Sequence, residues 1–331
     1  MTISKCIFNE NLAVRNGGGL YVENNAVPKE SFELTMEDCE FNKNQGQDLA
    51  QSSGTGGGGA YFKDVAVRLD RCKFEQNVGD ERGGGIEIIN STVRIFDCKF
   101  TENLERQTAT SDTQDFYAGG GIFSEGSDVL VANSIFWKNG ACNGGGLFFS
   151  TNSHFSIINS SIVGNYDTTD HGKSNAHSGG IKVRGDYGAS GYVRNCILYG
   201  NVSKHYYRNH EYESYGGWSP WLTQICDHDK YCFLEKVTLE MSCVEGAKQN
   251  TPGSWLIWDD PAFVNQAAGN LRLVQNSLCI DRGNNYLDWD PLKPGFQLLQ
   301  ETDLDGKPRV IDGNGSGEAE VDMGAYEYQG R

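Results

Sequence analysis

The pattern of apolar and polar positions has a period of two, broken at regular intervals. Leu34 and Met36 precede Cys39, Val67 and Leu69 precede Cys72, and Val93 and Ile95 precede Cys98. Alternation of this kind marks short strands with one face inward. The last apolar residue of each run lies three places before a Cys or Ser, not two: Ile3, Met36, Leu69, Ile95, Val131, Ile157 and Val193. A slip of one residue, repeated seven times, predicts a corner at which one strand hands over to the next with both keeping their apolar side chains inside.

The corners belong to a repeat. Cys-x-Phe-x-x-Asn stands at Cys6/Phe8/Asn11, Cys39/Phe41/Asn44, Cys72/Phe74/Asn77 and Cys98/Phe100/Asn103. Softer copies follow at Ser134/Phe136/Asn139, Ser160/Ile162/Asn165 and Cys196/Leu198/Asn201. Between copies comes a glycine cluster ending in an apolar residue, as in Gly83 to Ile86 and Gly144 to Leu147. Units this short cannot bury a face alone and must stack on identical neighbours. The expectation is an all-β chain: a single-stranded parallel β-helix solenoid of about ten turns, three short strands to a turn, with an irregular C-terminal cap. Like residues then form ladders at a spacing of about 4.8 Å. The asparagines are expected to bond side chain to side chain and to the backbone of adjacent rungs. Cys6, Cys39, Cys72, Cys98 and Cys196 share one interior position, which suits a small, apolar, buried residue.

Composition narrows the classes of function. The 331 residues include 42 Gly and only 7 Pro, with 28 basic and 44 acidic side chains, a net charge of −16. Such acidity argues against a nucleic-acid partner, and no apolar run is long enough to span a bilayer. The first residues, Met1 to Cys6, carry no secretion signal and open inside a repeat, so a truncated chain or gene fragment is expected. Cys226, Cys232, Cys243 and Cys279 lie outside the ladder. They are candidates for one or two disulfides, which would indicate an extracytoplasmic home.

Three regions are expected: rungs over 1–202, an aromatic-rich insertion over 203–240, and last rungs with a terminal module over 241–331. The terminal region carries Met241 to Gly246, Asp260 to Asn265, Gly269 to Leu273, Ser277 to Gly283, Asp303 to Arg309 and Val321 to Glu327. Together these strings resemble the C-terminal module of the choice-of-anchor Q group of bacterial right-handed β-helix surface proteins. The Gly-Gly-Gly and Phe-x-x-Asn rungs resemble the polymorphic outer-membrane protein repeat. The resemblance implies right-handed winding, the pectate-lyase-like form, and a place at the cell surface or outside the cell. It assigns no reaction. In that group a sorting or anchoring tail follows the module, whereas this sequence ends at Gln329-Gly330-Arg331, so the anchor is expected to be missing.

Candidate chemistry sits in the strand after each glycine cluster. Its outward positions read Tyr21, Tyr61, Glu87, Phe123, Phe148 and Lys182, with Arg184 on the same face as Lys182. If the chain is an enzyme, Lys182, Arg184, His177 and His171, with Lys173 nearby, are the group expected to hold and deprotonate an acidic sugar. If it binds without reacting, Tyr21, Tyr61, Phe123 and Phe148, with Trp218 and Trp221 from the insertion, offer ring faces for stacking on pyranoses. Asp312, Asn314 and Ser316 space oxygen ligands like the start of a calcium loop, without the flanking helices or the acidic twelfth residue of that motif. Calcium is therefore the one candidate cofactor. The reading is a non-enzymatic surface or secreted module that presents a face to a polysaccharide or cell-surface partner. The alternative is a lyase or epimerase acting on uronate-containing glycans.

Overall fold

The computed structural model describes residues 1–25, 33–47, 56–106, 118–168, 178–203, 224–226, 235–247, 251, 253–285, 289–290, 293–294 and 301–330. One circuit illustrates the rung. Ala60–Lys63 lies in sheet D, Ala66–Asp70 in sheet A, Lys73–Glu75 in sheet B and Val78–Gly79 in sheet C. Sheets A and B each hold eight strands, D seven and C six. Neighbouring rungs pair in parallel without offset, as where Ala66–Asp70 lies beside Thr92–Phe96.

Among the described residues the circuit thus has four strands where three were expected, and sheets A and B count eight turns where about ten were expected. Sheet C strands are two residues long, too short to show a period in the sequence. The solenoid also runs through the segment expected to be an insertion. Ile225–Cys226 joins sheet D and Val237–Glu240 joins sheet A.

The A–B and B–C corners are each made by a single residue at positive φ. Asp38, Arg71, Asp97, Asn133, Asn159 and Asn195 turn the chain from sheet A to B, with φ between 46° and 55°. Lys43, Gln76, Glu102 and Lys138 do so from B to C. One left-handed residue reverses the side-chain phase, which accounts for the repeated slip. The conformation costs roughly 1 kcal/mol at each non-glycine position, and the hydrogen bonds beside it offset that cost.

Those bonds come from two interior ladders. At the A–B corner the Cys72 amide donates to Cys98 Sγ at 3.3 Å, the Cys98 amide to Ser134 Oγ at 3.1 Å, and the Ser134 amide to Ser160 Oγ at 3.1 Å. The ladder cysteines are therefore more than small apolar fillers. They replace serine as acceptors for a buried amide, and Cys98 Sγ in turn donates to the Phe96 carbonyl at 3.1 Å. At the B–C corner every asparagine repeats one set of contacts. Asn77 Nδ2 donates to Asn103 Oδ1 at 2.9 Å and back to the Phe41 carbonyl at 2.8 Å, while the Asn77 amide reaches the same Asn103 Oδ1 at 3.1 Å. The series runs from Asn11 to Asn201 and ends on Gln224, whose Oε1 accepts from Asn201 Nδ2 at 2.6 Å. Beside it Phe8, Phe41, Phe74, Phe100 and Phe136 stack with centroids 4.5–4.8 Å apart.

The glycine cluster brings the circuit round to sheet D. Gly83 sits at φ +54°, and a Cβ on Gly84 would stand 2.6 Å from the Gly120 carbonyl oxygen on the next rung. Only a residue without a side chain permits that approach.

The terminal module extends sheets A and B through isolated bridges, Glu240 to Ser254 and Cys243 to Ile257. It then turns back along the outer face of sheet B, further than a cap would reach. Leu271, Ala325 and Tyr326 pack on Ile135 and Val163, and the Ala325 amide donates to Ser161 Oγ at 3.1 Å. Among the described residues no helix is long and apolar enough to cross a membrane.

Asn103→Ala removes four bonds at one buried position: two donated to Phe74 O and Asn139 Oδ1, two accepted from Asn77. It is expected to destabilise the chain by about 3 kcal/mol or more in urea unfolding, because buried partners lose their bonds. The half-buried neighbour Glu102→Ala serves as control. Equal midpoints for the two variants would refute the ladder.

Candidate functional site

The outward positions of sheet D fall in register as expected. Tyr21, Tyr61, Glu87, Phe123, Phe148 and Lys182 lie side by side on successive rungs, followed by Cys226. Their facing was legible; their accessibility was not. Tyr21 is 49% exposed, but Tyr61 falls to 6%, and Glu87, Phe123, Phe148 and Lys182 to 1% or less. The rings stack on each other, Tyr21 on Tyr61 at 5.0 Å and Phe123 on Phe148 at 5.6 Å. Ala118, Ala141 and Cys142, from the C-to-D side of the barrel, pack on the last two. Tyr61, Phe123 and Phe148 are thus a second, outer core and offer no open stacking stripe. Outward on one sheet of a solenoid is not the same as solvated when flanking segments fold over it.

The cations are covered as well. Lys182 Nζ donates to Cys226 Sγ at 3.6 Å. Arg184 leaves the strand at the turn Gly185–Tyr187, 4% exposed, with its guanidinium 3.8 Å above the Tyr187 ring. Neither is presented to solvent as an exposed uronate clamp requires. His171, Lys173, His177, Trp218 and Trp221 lie outside the described residues.

The calcium-like spacing has another use. Asp312 Oδ1 accepts the amides of Gly315 and Ser316, at 2.7 and 2.9 Å, and Oδ2 accepts that of Gly317 at 2.8 Å. Asn314 Oδ1 accepts the Ser316 amide at 2.8 Å. The oxygens of this turn are drawn onto its own backbone, which is the usual work of Asp and Asn in glycine-rich turns.

Two buried carboxyls, unexpected from the sequence, lie on this flank. Glu87 and Glu105 are each held near pKa 8, chiefly because burial penalises the charged form. Arg82 stands between Glu87 and Glu125, 3.7 and 3.8 Å from their carboxylates, and lowers the Glu87 value only in part. Glu105 Oε2 accepts the Cys142 amide at 2.9 Å, while Glu105 Oε1 and Glu87 Oε2 have no hydrogen-bond partner among the described residues. One signal was available. Glu105 occupies the register position held by Gly46 and Gly79 on the preceding rungs, and a carboxylate there breaks the pattern.

The cysteines outside the ladder divide. Cys226 is disulfide-bonded, whereas Cys243 and Cys279 are buried free thiols. Cys243 points at the Asp259 carbonyl, 3.4 Å away, and packs with Cys279 in one apolar cluster. Cys232 lies outside the described residues.

Four parallel sheets, single-residue corners and stacked ladders define a β-helix. Residues 50–216, half of the chain, match the family described as right handed beta helix region. The chain belongs to that family. No curated protein matches it. The fold serves both binding proteins and lyases, so membership alone assigns no activity.

A pH test isolates Glu87. Its carboxyl is protonated in the fold near pH 7 but ionised in the unfolded chain, where its ordinary value of 4.5 applies. Its contribution to stability is therefore full below about pH 4.5 and is lost as pH rises through about 8. The melting temperature of Glu87→Gln relative to the parent should rise between pH 5 and 8.5, as measured by calorimetry. A constant difference would contradict the burial of this group.

Proposed function

We propose that the chain is a non-enzymatic, cell-surface or secreted β-helix module that presents a binding face to a glycan or a surface partner. One observation carries the reading. Changes in repeat length collect at the two edges of sheet D, most of the added length in the connection from sheet C and some in the one to sheet A, as from Leu20–Glu23 to Glu33–Glu37 and from Ile181–Val183 to Ser190–Arg194. Val78–Gly79 reaches Ile86–Ile89 and Gly140–Ala141 reaches Leu147–Phe149 by short links. Longer ones join Gln45–Gly46 to Ala60–Lys63, Leu104–Glu105 to Ile122–Glu125 and Tyr166–Asp167 to Ile181–Val183. The longest leaves Ser203 and returns at Gln224. In solenoids, insertions gathered on one face mark the face that meets partners. His171 and His177 belong in sequence to one of these connections, Trp218 and Trp221 to the longest.

The disulfide at Cys226 supports a location outside the reducing cytosol, as do the surface-protein resemblance of the rungs and the choice-of-anchor Q resemblance of the terminal module. The net charge of −16 speaks against nucleic acid as the partner.

The lyase or epimerase reading keeps one observation in its favour. Glu87 and Glu105 have the raised pKa values, about 8, of general acid–base groups. Their burial, and that of Lys182 and Arg184, weighs against it.

Glycan-array binding and an ultraviolet assay for unsaturated uronate product, run on one preparation over pectate, alginate, chondroitin and heparan, separate the two. Binding without product is expected. Replacing residues 205–222 with a short Gly-Ser link should abolish binding while leaving the melting temperature of the rungs within about 2 °C, since surface loops contribute little to global stability. Product formation, lost in Glu87→Gln, would transfer the conclusion to the enzyme.

A further inference from the structure

Three carboxylates meet in the terminal module. One oxygen each from Asp281, Asp322 and Glu327 lies within 4.8 Å of the other two, and all three residues are buried. Backbone amides hold most of their oxygens. Asp281 accepts from Gly313 at 3.2 Å and Asn314 at 2.7 Å, and Asp322 from Asp281 at 2.7 Å and Tyr328 at 2.6 Å. Glu327 Oε2 accepts the Asp322 amide at 3.0 Å. Its Oε1 has no hydrogen-bond partner among the described residues, although the side chain has no solvent exposure at all. A buried carboxyl oxygen left in that state is costly unless a cation or a proton meets it.

The charge balance points the same way. Asp303, also buried, accepts the Glu327 amide at 3.0 Å and brings a fourth carboxylate. Arg309 is the buried countercharge, with Nη1 3.7 Å from Glu327 Oε2. With all five ionised the sum is 1 − 4 = −3, and a divalent cation reduces it to −1. The donors are all oxygen, which selects a hard cation, and separations up to 4.8 Å fall within a calcium shell, whose ligands stand at about 2.3–2.6 Å. A cavity of about 410 Å³ reaches Asp281 and is also lined by Ser277, Asn314, Ser316, Glu318 and Glu320. It opens the Asp281 side of the cluster, while Asp322 and Glu327 lie behind it.

We propose that Asp281, Asp322 and Glu327 form a calcium site that secures the terminal module to the solenoid. The Asp312 turn is not the site; its Gly313 and Asn314 amides hold Asp281 in place. Arg309 links the site to the rungs, donating to Asn133 Oδ1, to the Asn159 carbonyl at 3.3 Å and to the Gly324 carbonyl at 3.0 Å. Calcium binding therefore stabilises the contact between module and sheet B, independently of what the C-to-D corner binds.

The test uses the whole chain, stripped with chelator and titrated with calcium chloride, with bound metal measured by equilibrium dialysis and stability by thermal melting. One calcium per chain and a higher melting temperature are expected, with a smaller effect of magnesium. Glu327→Gln should weaken calcium binding at least about tenfold, and Asp312→Asn, which reaches the site only through the turn that holds Asp281, should weaken it less. If Glu327→Gln does not fold, Asp281→Asn makes the same comparison. A folded parent chain that takes up no calcium at millimolar concentration would overturn the proposal. So would binding lost in Asp312→Asn but kept in Glu327→Gln.

Discussion

Closing a parallel β-helix requires that the chain turn a corner inside its own core without leaving a buried amide unpaired. The rest of this structure follows from how that is met. A single left-handed residue makes each A–B and B–C turn, and the next residue sends a side-chain oxygen or sulfur along the solenoid axis to the amide of its neighbour. The asparagines do this most completely. Each Oδ1 accepts two bonds and each Nδ2 donates two, from Asn44 to Asn165. No other uncharged side chain of that length both donates and accepts in one plane, which is why the position does not vary while its phenylalanine neighbour gives way to Ile162 and Leu198.

The same constraint decides where the chain is free to change. Corners A–B and B–C are bound to ladders that tolerate no insertion, because an added residue would unpair a buried amide on two rungs. The C-to-D connection is bound only at its glycines. Added length therefore gathers on one flank, beside the outer core of Phe123, Phe148 and Lys182. The opposite flank, sheet B, is occupied by the terminal module. A solenoid with one face committed to its own C-terminal segment and most of its added length gathered at the edges of another is polarised in a way that suits a presenting scaffold.

Much of this was legible because solenoids repeat. Seven copies of the slip before Cys39, Cys72, Cys98 and their equivalents expose the corner, and the facing of Tyr61, Glu87 and Phe148 follows from strict alternation. What escaped was whatever depends on contacts between distant segments. Val78–Gly79 and its kind are too short to show periodicity, so a whole sheet was missed. Burial of Lys182 and Arg184 depends on packing across the flank, which alternation does not encode. The link from Arg309 to Asn133 spans 176 residues, and the meeting of Asp281 with Asp322 and Glu327 is equally remote. Asp312 drew notice through its spacing, although its oxygens serve only their own turn.

Hydrogen exchange along the chain tests the dependence on the ladders most directly. Peptides containing Asn77, Asn103, Asn139 and Asn165 should be the slowest to exchange, opening together with the global unfolding of the rungs, and protection should fall toward Asn11 at the end of the stack. Exchange at these amides as fast as in the exposed turn at Gly315 to Gly317 would contradict the account, because the corners would then be held by something other than their side-chain ladders.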